Sequence, residues 1–366
     1  MKFTVSRETF LKPLQLVLGV VERRQTLPIL SNVLMVLDDK KLSLTGTDLE
    51  VEIVGHIELE QSAEGGEITV PARKLMDIVR SLPEGAEIKL SEKDGRAILQ
   101  SGRSRFTLST LPPSDFPSVD EGQGRLELNV SQTELKYLID STAFAMAQQD
   151  VRYYLNGMLW EADGKTLRAV ATDGHRLAMS TRPLQSSADE KISAIVPRKG
   201  VMELSRLLGE GDDVSVVIGS NHVRISGDDF RFTSKLVDGS YPDYERVLPR
   251  GGTKEVIGDR AGLKQAFSRA AILSNEKYRG VRLMLSNDLL KIVANNPEQE
   301  EAEEEIAVNY EGDELEIGFN VSYLLDVLNV LPGNNTRFTL SDSNSSALVN
   351  DPENEDSVYV VMPMRL

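Results

Sequence analysis

The sequence predicts an α+β chain made of three copies of one unit, and three observations carry that prediction. A helix-like run after Pro71 recurs, with related residues, at shifts of about 125 and then 123 positions. A strand-like run around Phe106 and the motif Thr47-Asp48-Leu49-Glu50 recur on the same spacing. Within each third, short runs alternate apolar and polar residues between turn signals, the pattern of antiparallel strands with one buried face. The 366 residues fit two or three domains of ordinary size, and the repeats divide them at 1–124, 125–252 and 253–366. A repeat this long carries enough helix and strand for its own core, so it is not a solenoid element.

The thirds open on KFTVSRETFLKPL from Lys2, LELNVSQTELKYLI from Leu126 and EVIGDRAGLKQAF from Glu255. Each reads as a short strand, a polar residue able to cap, and a helix. Phe10, Leu14, Val17 and Leu18, then Leu135, Leu138 and Ile139, then Leu263, Ala266, Phe267 and Ala270 recur at three and four spacing, so one face of each helix is core. Strands follow, such as Leu42-Ser43-Leu44, Val51-Glu52-Ile53 and Arg105-Phe106-Thr107-Leu108, with turn signals at Asp38-Asp39, Asp163-Gly164 and Asn287-Asp288. In the second helix of each third, Leu75, Ile78, Val79 and Leu82 correspond to Val201, Leu204, Ser205 and Leu208, and these to Leu324, Val327, Leu328 and Leu331. The acidic position between them is kept as Asp77, Glu203 and Asp326. Each unit is thus two helices on mostly antiparallel sheet. If each hands an edge strand to the next, the array is head-to-tail and closes into a ring or runs on as a filament, and two chains would close six units.

Charge bears on what such an array could hold. The formal net charge is −16, which taken alone opposes binding to nucleic acid. Some of the acid is concentrated in one run, however: Glu298 to Glu305 reads EQEEAEEE, which in isolation is a solvated face. On the second helix of the first unit, Arg73 and Arg80 are seven apart and share a face, and Lys199 and Arg206 hold the equivalent positions in the second. Lys12, Lys136, Arg24 and Arg152 extend a sparse basic lining, which weakens in the third unit where Ser322 and Asn329 replace the pair, although Lys264 and Arg269 remain. Twelve helices about 9 to 10 Å apart around a hole would leave an opening of roughly 26 Å, slightly wider than duplex DNA. Contacts across it would be weak, partly through water, and blind to base sequence.

Other classes find little support. Only three histidines exist, His56, His175 and His222, and neither a GxSxG elbow nor an HExxH pair gives any of them a catalytic role. Gly164-Lys165-Thr166 resembles the end of a phosphate loop, but its required first glycine would fall at Leu159, so it reads as a hairpin tip. The acidic run lacks the spaced ligands and central glycine of a calcium loop. No catalytic residue, metal site or cofactor is therefore expected. Zero cysteines, an N-terminus without an apolar signal core and the lack of a long apolar run lead us to expect a cytoplasmic protein without a membrane span.

Seven strings carry a resemblance over the whole chain: QDVRYYLNGML from Gln149, TDGHRLA from Thr172, IVPRKGV from Ile195, FTSKLVDGSYPDYERVLP from Phe232, AILSNEKYRGVRL from Ala271, NNPEQEEAEEEI from Asn295 and YVVMPMRL from Tyr359. They resemble the bacterial DNA polymerase III beta subunit family, the replicative sliding clamps. The resemblance implies a DNA clamp fold, a ring-shaped homodimer around duplex DNA, and a non-catalytic role in polymerase processivity. It also implies partners that bind by a short clamp-binding peptide: the polymerase III catalytic subunit, the clamp loader, other DNA polymerases, and repair and replication-control proteins. The implied peptide pocket is Leu155, Thr172, Gly174, His175, Arg176, Leu177, Pro242, Arg246, Val247, Ser346, Val360, Met362, Pro363, Met364 and Arg365. Leu, Val, Met and Pro suit an adaptable apolar socket for an extended peptide with Leu or Phe anchors. Implied DNA contacts are Arg24, Arg73, Gln149, Tyr153 and Tyr154. Implied dimer contacts are Lys74, Arg103, Arg105, Phe106 and Leu108 on one subunit, facing Ile272, Leu273, Glu300, Glu301, Glu303 and Glu304 on the other, a basic edge against an acidic one.

Overall fold

The computed structural model describes residues 1–21, 27–61, 63–119 and 124–365. The first third contains β1 (Lys2–Ser6), α1 (Arg7–Val17), β2 (Asn32–Asp38), β3 (Lys41–Thr47), β4 (Val51–Glu58), β5 (Gly66–Pro71), α2 (Ala72–Ser81), β6 (Glu87–Lys93), β7 (Arg96–Ser101) and β8 (Ser104–Ser109). The middle third contains β9 (Gly124–Val130), α3 (Gln132–Asp140), β10 (Gly157–Thr172), β11 (Arg176–Pro197), α4 (Arg198–Leu207), β12 (Val214–Gly219), β13 (His222–Ser226) and β14 (Phe230–Lys235). The last contains β15 (Lys254–Asp259), α5 (Arg260–Ala270), β16 (Gly280–Ser286), β17 (Leu289–Asn295), β18 (Glu301–Ala307), β19 (Leu315–Asn320), α6 (Val321–Val330), β20 (Asn335–Leu340), β21 (Ala347–Asp351) and β22 (Asn354–Val361).

The chain separates into two compact units, 1–135 with 199–236, and 136–198 with 237–366. The first holds a four-stranded sheet in the order β1-β6-β7-β8 and an eight-stranded sheet in the order β5-β2-β3-β4-β14-β13-β12-β9. The second holds a six-stranded sheet, β10-β11-β22-β21-β20-β15, and a four-stranded one, β18-β17-β16-β19. The divisions differ from the sequence repeats for a physical reason. The last strand of one repeat adds to the sheet of the repeat before it: β14 pairs with β4 over Phe230↔Gly55 to Ser234↔Val51, and β22 pairs with β11 over Ser357↔Ser180 to Val361↔Arg176, both antiparallel.

The helices bury most of the stripes their spacing predicts, although Leu18, just past α1, and Ile78 of α2 are only half-buried. Phe10, Leu14 and Val17 of α1 are buried, as are Leu135, Leu138 and Ile139 of α3 and Leu263, Ala266, Phe267 and Ala270 of α5. Ser6 and Asp259 cap α1 and α5 by accepting from Thr9 N and Gly262 N at 3.2 and 2.6 Å. Asp39 and Asp288 turn their hairpins with φ of 51° and 56°. Gly164, with φ of 54°, lies where β10 changes register, and Thr166 Oγ1 donates to Asp163 O across the break. A strand and not a helix follows, so the run has no phosphate-loop context.

Pairs of helices are tied at equivalent places. Arg7 begins α1 and donates from Nε to Val79 O at the end of α2, 3.1 Å away. Arg260 begins α5 and donates from Nη1 to Leu328 O of α6 at 3.0 Å. At the same position of the second repeat, Gln132 accepts from Gly209 N. A cation against carbonyls at a helix C-terminus satisfies orphan acceptors and opposes the helix dipole.

Candidate functional site

The groove implied by the resemblance starts from a turn. Thr172 Oγ1 donates to Arg176 O at 2.6 Å and accepts from Gly174 N, while Asp173 Oδ1 accepts from His175 N and Arg176 N. Gly174 takes φ of 88°, and a Cβ there would lie 3.1 Å from the Arg152 guanidinium, so glycine serves both the backbone and the space. The turn launches β11, whose Leu177 is fully buried beside Leu159, Val170, Ile195, Tyr244 and Val360. Val247 packs against the same cluster, so the structure brings Leu177, Val247 and Val360 together from three separate stretches of chain. Met362 N donates to His175 O and Met364 N to Gly318 O, which fixes the Met362-Pro363-Met364 segment beside the turn. Leu155 is buried, Ser346 and Pro363 half-buried, and Pro242, Arg246 and Arg365 exposed, with Arg246 paired to Asp243 at 2.7 Å.

Arg176 braces this turn instead of offering a free charge. Its guanidinium stands over Tyr323 and Phe144, 4.4 and 5.2 Å from the ring centroids. It pairs with Asp173 and Asp326 and donates to Phe144 O, and only 12% of the side chain is exposed. The sequence reading missed Tyr241, Tyr244 and Leu248 in the apolar cluster. The spacing of aromatic and aliphatic residues in SYPDYERVL was the signal available, but the segment is irregular and carries no period to read.

Among the implied DNA contacts, Arg24 lies outside the described residues. Arg73 is half-buried, and its Nη2 donates to Val21 O at 2.9 Å. Gln149 has φ of 56° and opens a loop tied by paired bonds between Asp150 and Asn156. Hydrogen bonds from the Arg152 side chain and backbone hold Asp150 down at about 2. The loop exposes Val151 and Tyr153, 94% and 56% accessible, while Tyr154 packs against the apolar cluster.

Of the implied dimer contacts, Lys74, Arg103 and Arg105 are exposed, Phe106 is half-buried and Leu108 is buried. Arg105, Phe106 and Leu108 lie on β8, an edge of its sheet, with Arg103 just before it, while Lys74 lies on α2. Ile272 is exposed and Leu273 half-buried, following α5. Glu301, Glu303 and Glu304 lie on β18, also an edge, with Glu300 just before it. Glu304 accepts from Arg269 in two 2.7 Å bonds that keep its carboxyl below the usual range, and Glu303 pairs with Lys291 at 2.6 Å. Part of the acidic run is therefore neutralised within the chain.

Among the described residues, no constellation resembles a hydrolytic site. His56 Nδ1 meets Ser43 Oγ at 3.1 Å, and His222 Nδ1 meets Asn221. Among the described residues, no three His, Asp or Glu side chains gather as a metal would require, and no helix is long and apolar enough to cross a membrane.

Three family models match in series: the N-terminal domain of the DNA polymerase III beta subunit over residues 1–120, its central domain over 129–243 and its C-terminal domain over 245–365. The chain belongs to the DNA polymerase III beta subunit family. The beta sliding clamp of Pseudomonas aeruginosa is 65% identical over 367 residues, and that of Escherichia coli K12 is 58% identical, each over the full length of both chains. The crystal structure of the P. aeruginosa subunit superposes with a TM-score of 0.98 over both whole chains at 65% identity. A sliding clamp from Bartonella birtlesii, crystallised bound to griselimycin, superposes at 0.96 with 42% identity, again over both whole chains. The α+β clamp fold follows, and with it a sliding clamp of DNA polymerase III, a processivity factor and not an enzyme.

Proposed function

We propose that the chain works as a homodimeric ring of three clamp domains per subunit, bounded at 1–124, 125–252 and 253–366, that encircles duplex DNA and tethers the polymerase to it. The observation that carries this reading is the strand-sharing rule. β4 receives β14 and β11 receives β22, yet β18, the corresponding strand of the third repeat, is an unpaired edge, and so is β8, the last strand of the first. These are the two halves of one further junction. Exposed Arg103 and Arg105 at β8 and exposed Glu301 and Glu303 on β18 give them opposite charge, and exposed Ile272 supplies an apolar contact. Two chains joined twice this way close a six-domain ring.

Processivity then comes from linkage. A closed ring cannot leave sideways, and weak contacts to phosphate permit sliding. The groove around Leu177, Val247 and Val360 docks extended peptides with Leu or Phe anchors, so the polymerase catalytic subunit, the clamp loader and other DNA-processing proteins compete for one groove per subunit. A protein threaded on the chromosome works in the cytoplasm. Light scattering should give twice the chain mass, and protein loaded on nicked circular DNA should stay until the circle is linearised and then slide off. Equal retention on circles and linear DNA would mean affinity instead of encirclement and would refute the reading.

A further inference from the structure

A buried polar network adjoins the apolar cluster of the groove. Glu161 of β10 is only 4% exposed, and its Oε1 accepts from Arg168 Nη1 at 3.0 Å and from the Tyr244 hydroxyl at 2.8 Å. Its Oε2 pairs with Lys191 Nζ at 2.9 Å, and Arg168 Nη1 also donates to the Tyr244 hydroxyl at 2.7 Å. Burial pushes the Glu161 carboxyl up, but the hydrogen bonds from Lys191 and Tyr244 with the charge of Arg168 outweigh it and hold the group below its ordinary value. The carboxylate is thus charged, buried and supplied with donors at both oxygens.

Tyr244 spans two environments. Its hydroxyl sits in this network, while its ring, 6% exposed, lies in the cluster with Leu159, Leu177 and Val360. Glu161 is two residues from Leu159 and Arg168 two from Val170, so each shares a strand face with a cluster member. Tyr244 also begins the one-turn helix Tyr244–Arg246, and Val247 N donates back to Tyr244 O at 3.0 Å. The irregular segment that supplies Pro242, Arg246 and Val247 packs on the cluster through apolar side chains, and the Tyr244 hydroxyl ties it to the buried network.

We propose that Glu161, Arg168 and Tyr244 are positioning residues of the docking groove, holding the wall formed by Pro242 to Val247 in register with Leu177 and Val360 for an incoming peptide. This rests on the groove reading above. An irregular wall has no strand ladder of its own, so its placement before binding depends on such an anchor, and a preplaced wall lowers the ordering cost of binding.

The test uses the full chain, a labelled synthetic extended peptide carrying Leu and Phe anchors, and Tyr244→Phe, which removes the hydroxyl and keeps the ring. We expect peptide Kd to weaken about tenfold and amide exchange to rise at Val247, with exchange in β10, β11 and β22 unchanged. Emission of Trp160, the one tryptophan, fully buried on β10, should not move. Glu161→Gln should shift Kd and Val247 exchange in the same direction. Unchanged Kd and unchanged Val247 exchange in both variants would overturn the proposal, as would loosening spread across all three strands with a red-shifted Trp160, which would make the network merely structural. Failure of the unmodified protein to bind the peptide would instead overturn the groove reading, and the proposal with it.

Discussion

The β4–β14 junction of the first unit and the β11–β22 junction of the second use the same turn to different ends. In the first, Thr47 Oγ1 donates to Val51 O at 2.9 Å, Asp48 Oδ1 accepts from Glu50 N and Val51 N, and Leu49 takes φ of 79°. In the second, Thr172, Asp173 and Gly174 make the same bonds with φ of 88°. The added strand arrives alike, with Lys235 N donating to Glu50 O and Met362 N to His175 O. What differs is the rest of the turn. Leu49-Glu50-Val51 becomes Gly174-His175-Arg176, and the aspartate's partner changes from Lys199 to Arg176, which is stacked over Tyr323 and Phe144. Thr and Asp thus make the scaffold for strand addition, and the three residues after them are what distinguish the turn beside the proposed groove from its counterpart.

The largest contrast should come from the cations. Arg176→Ala leaves Asp173 and Asp326 without their shared partner and empties a slot between two rings. It should destabilise the second unit by about 2 to 3 kcal/mol, whereas Lys199→Ala should cost the first about 1 kcal/mol. Hydrogen exchange in β11 and β4 under mild urea reads each junction separately, and equal losses would break the contrast. The third turn position should respond with opposite signs. Gly174→Leu forces a side chain into left-handed backbone against Arg152, costing about 1 to 2 kcal/mol and weakening peptide binding. Leu49→Gly relieves the same conformation and should be neutral or stabilising by up to about 1 kcal/mol in thermal melts.

The smallest effect concerns protons. His56 on β4 is half-buried, and burial followed by the charges of Lys41 and Arg231 lowers its pKa below 6.5. The unfolded chain then binds the proton first as pH falls, so this contribution to stability is complete above 6.5 and is lost as pH drops from there towards the folded value. In the second repeat the equivalent position is Thr181, so β11 carries no matching histidine. Native exchange in β4 should rise over that window more than in His56→Gln, while β11 stays flat. A flat β4 profile would remove this difference between the junctions.

The repeats, the helix stripes and the hairpin tips at Asp39 and Asp288 were legible because each is local and periodic. The fate of the basic residues was not. Arg73 and Arg80 share a face of α2 in the spacing, as Lys199 and Arg206 do on α4, but Arg73 donates to Val21 O and Arg206 to Gln15 O and Leu16 O, carbonyls that sequence distance hides. A seven-residue interval identifies the face and says nothing of what lies beneath it. The proposed groove was suggested only by family resemblance, because Leu177, Val247 and Val360 come from distant stretches and Tyr244 from an irregular one. The Glu161 network escaped for a related reason: a lone Glu in an apolar strand gives no sign that an Arg, a Lys and a Tyr converge on it.

The most direct test of the account is to titrate methyl-labelled protein with the Leu- and Phe-bearing peptide and follow each methyl by NMR. One peptide should bind per chain, with shifts at Leu177, Val247, Val360, Met362 and Met364 and none at Leu49 or Val51. A second equivalent of peptide bound, or shifts at Leu49 and Val51 comparable to those at Met362, would contradict it by showing that the shared turn alone makes a docking site.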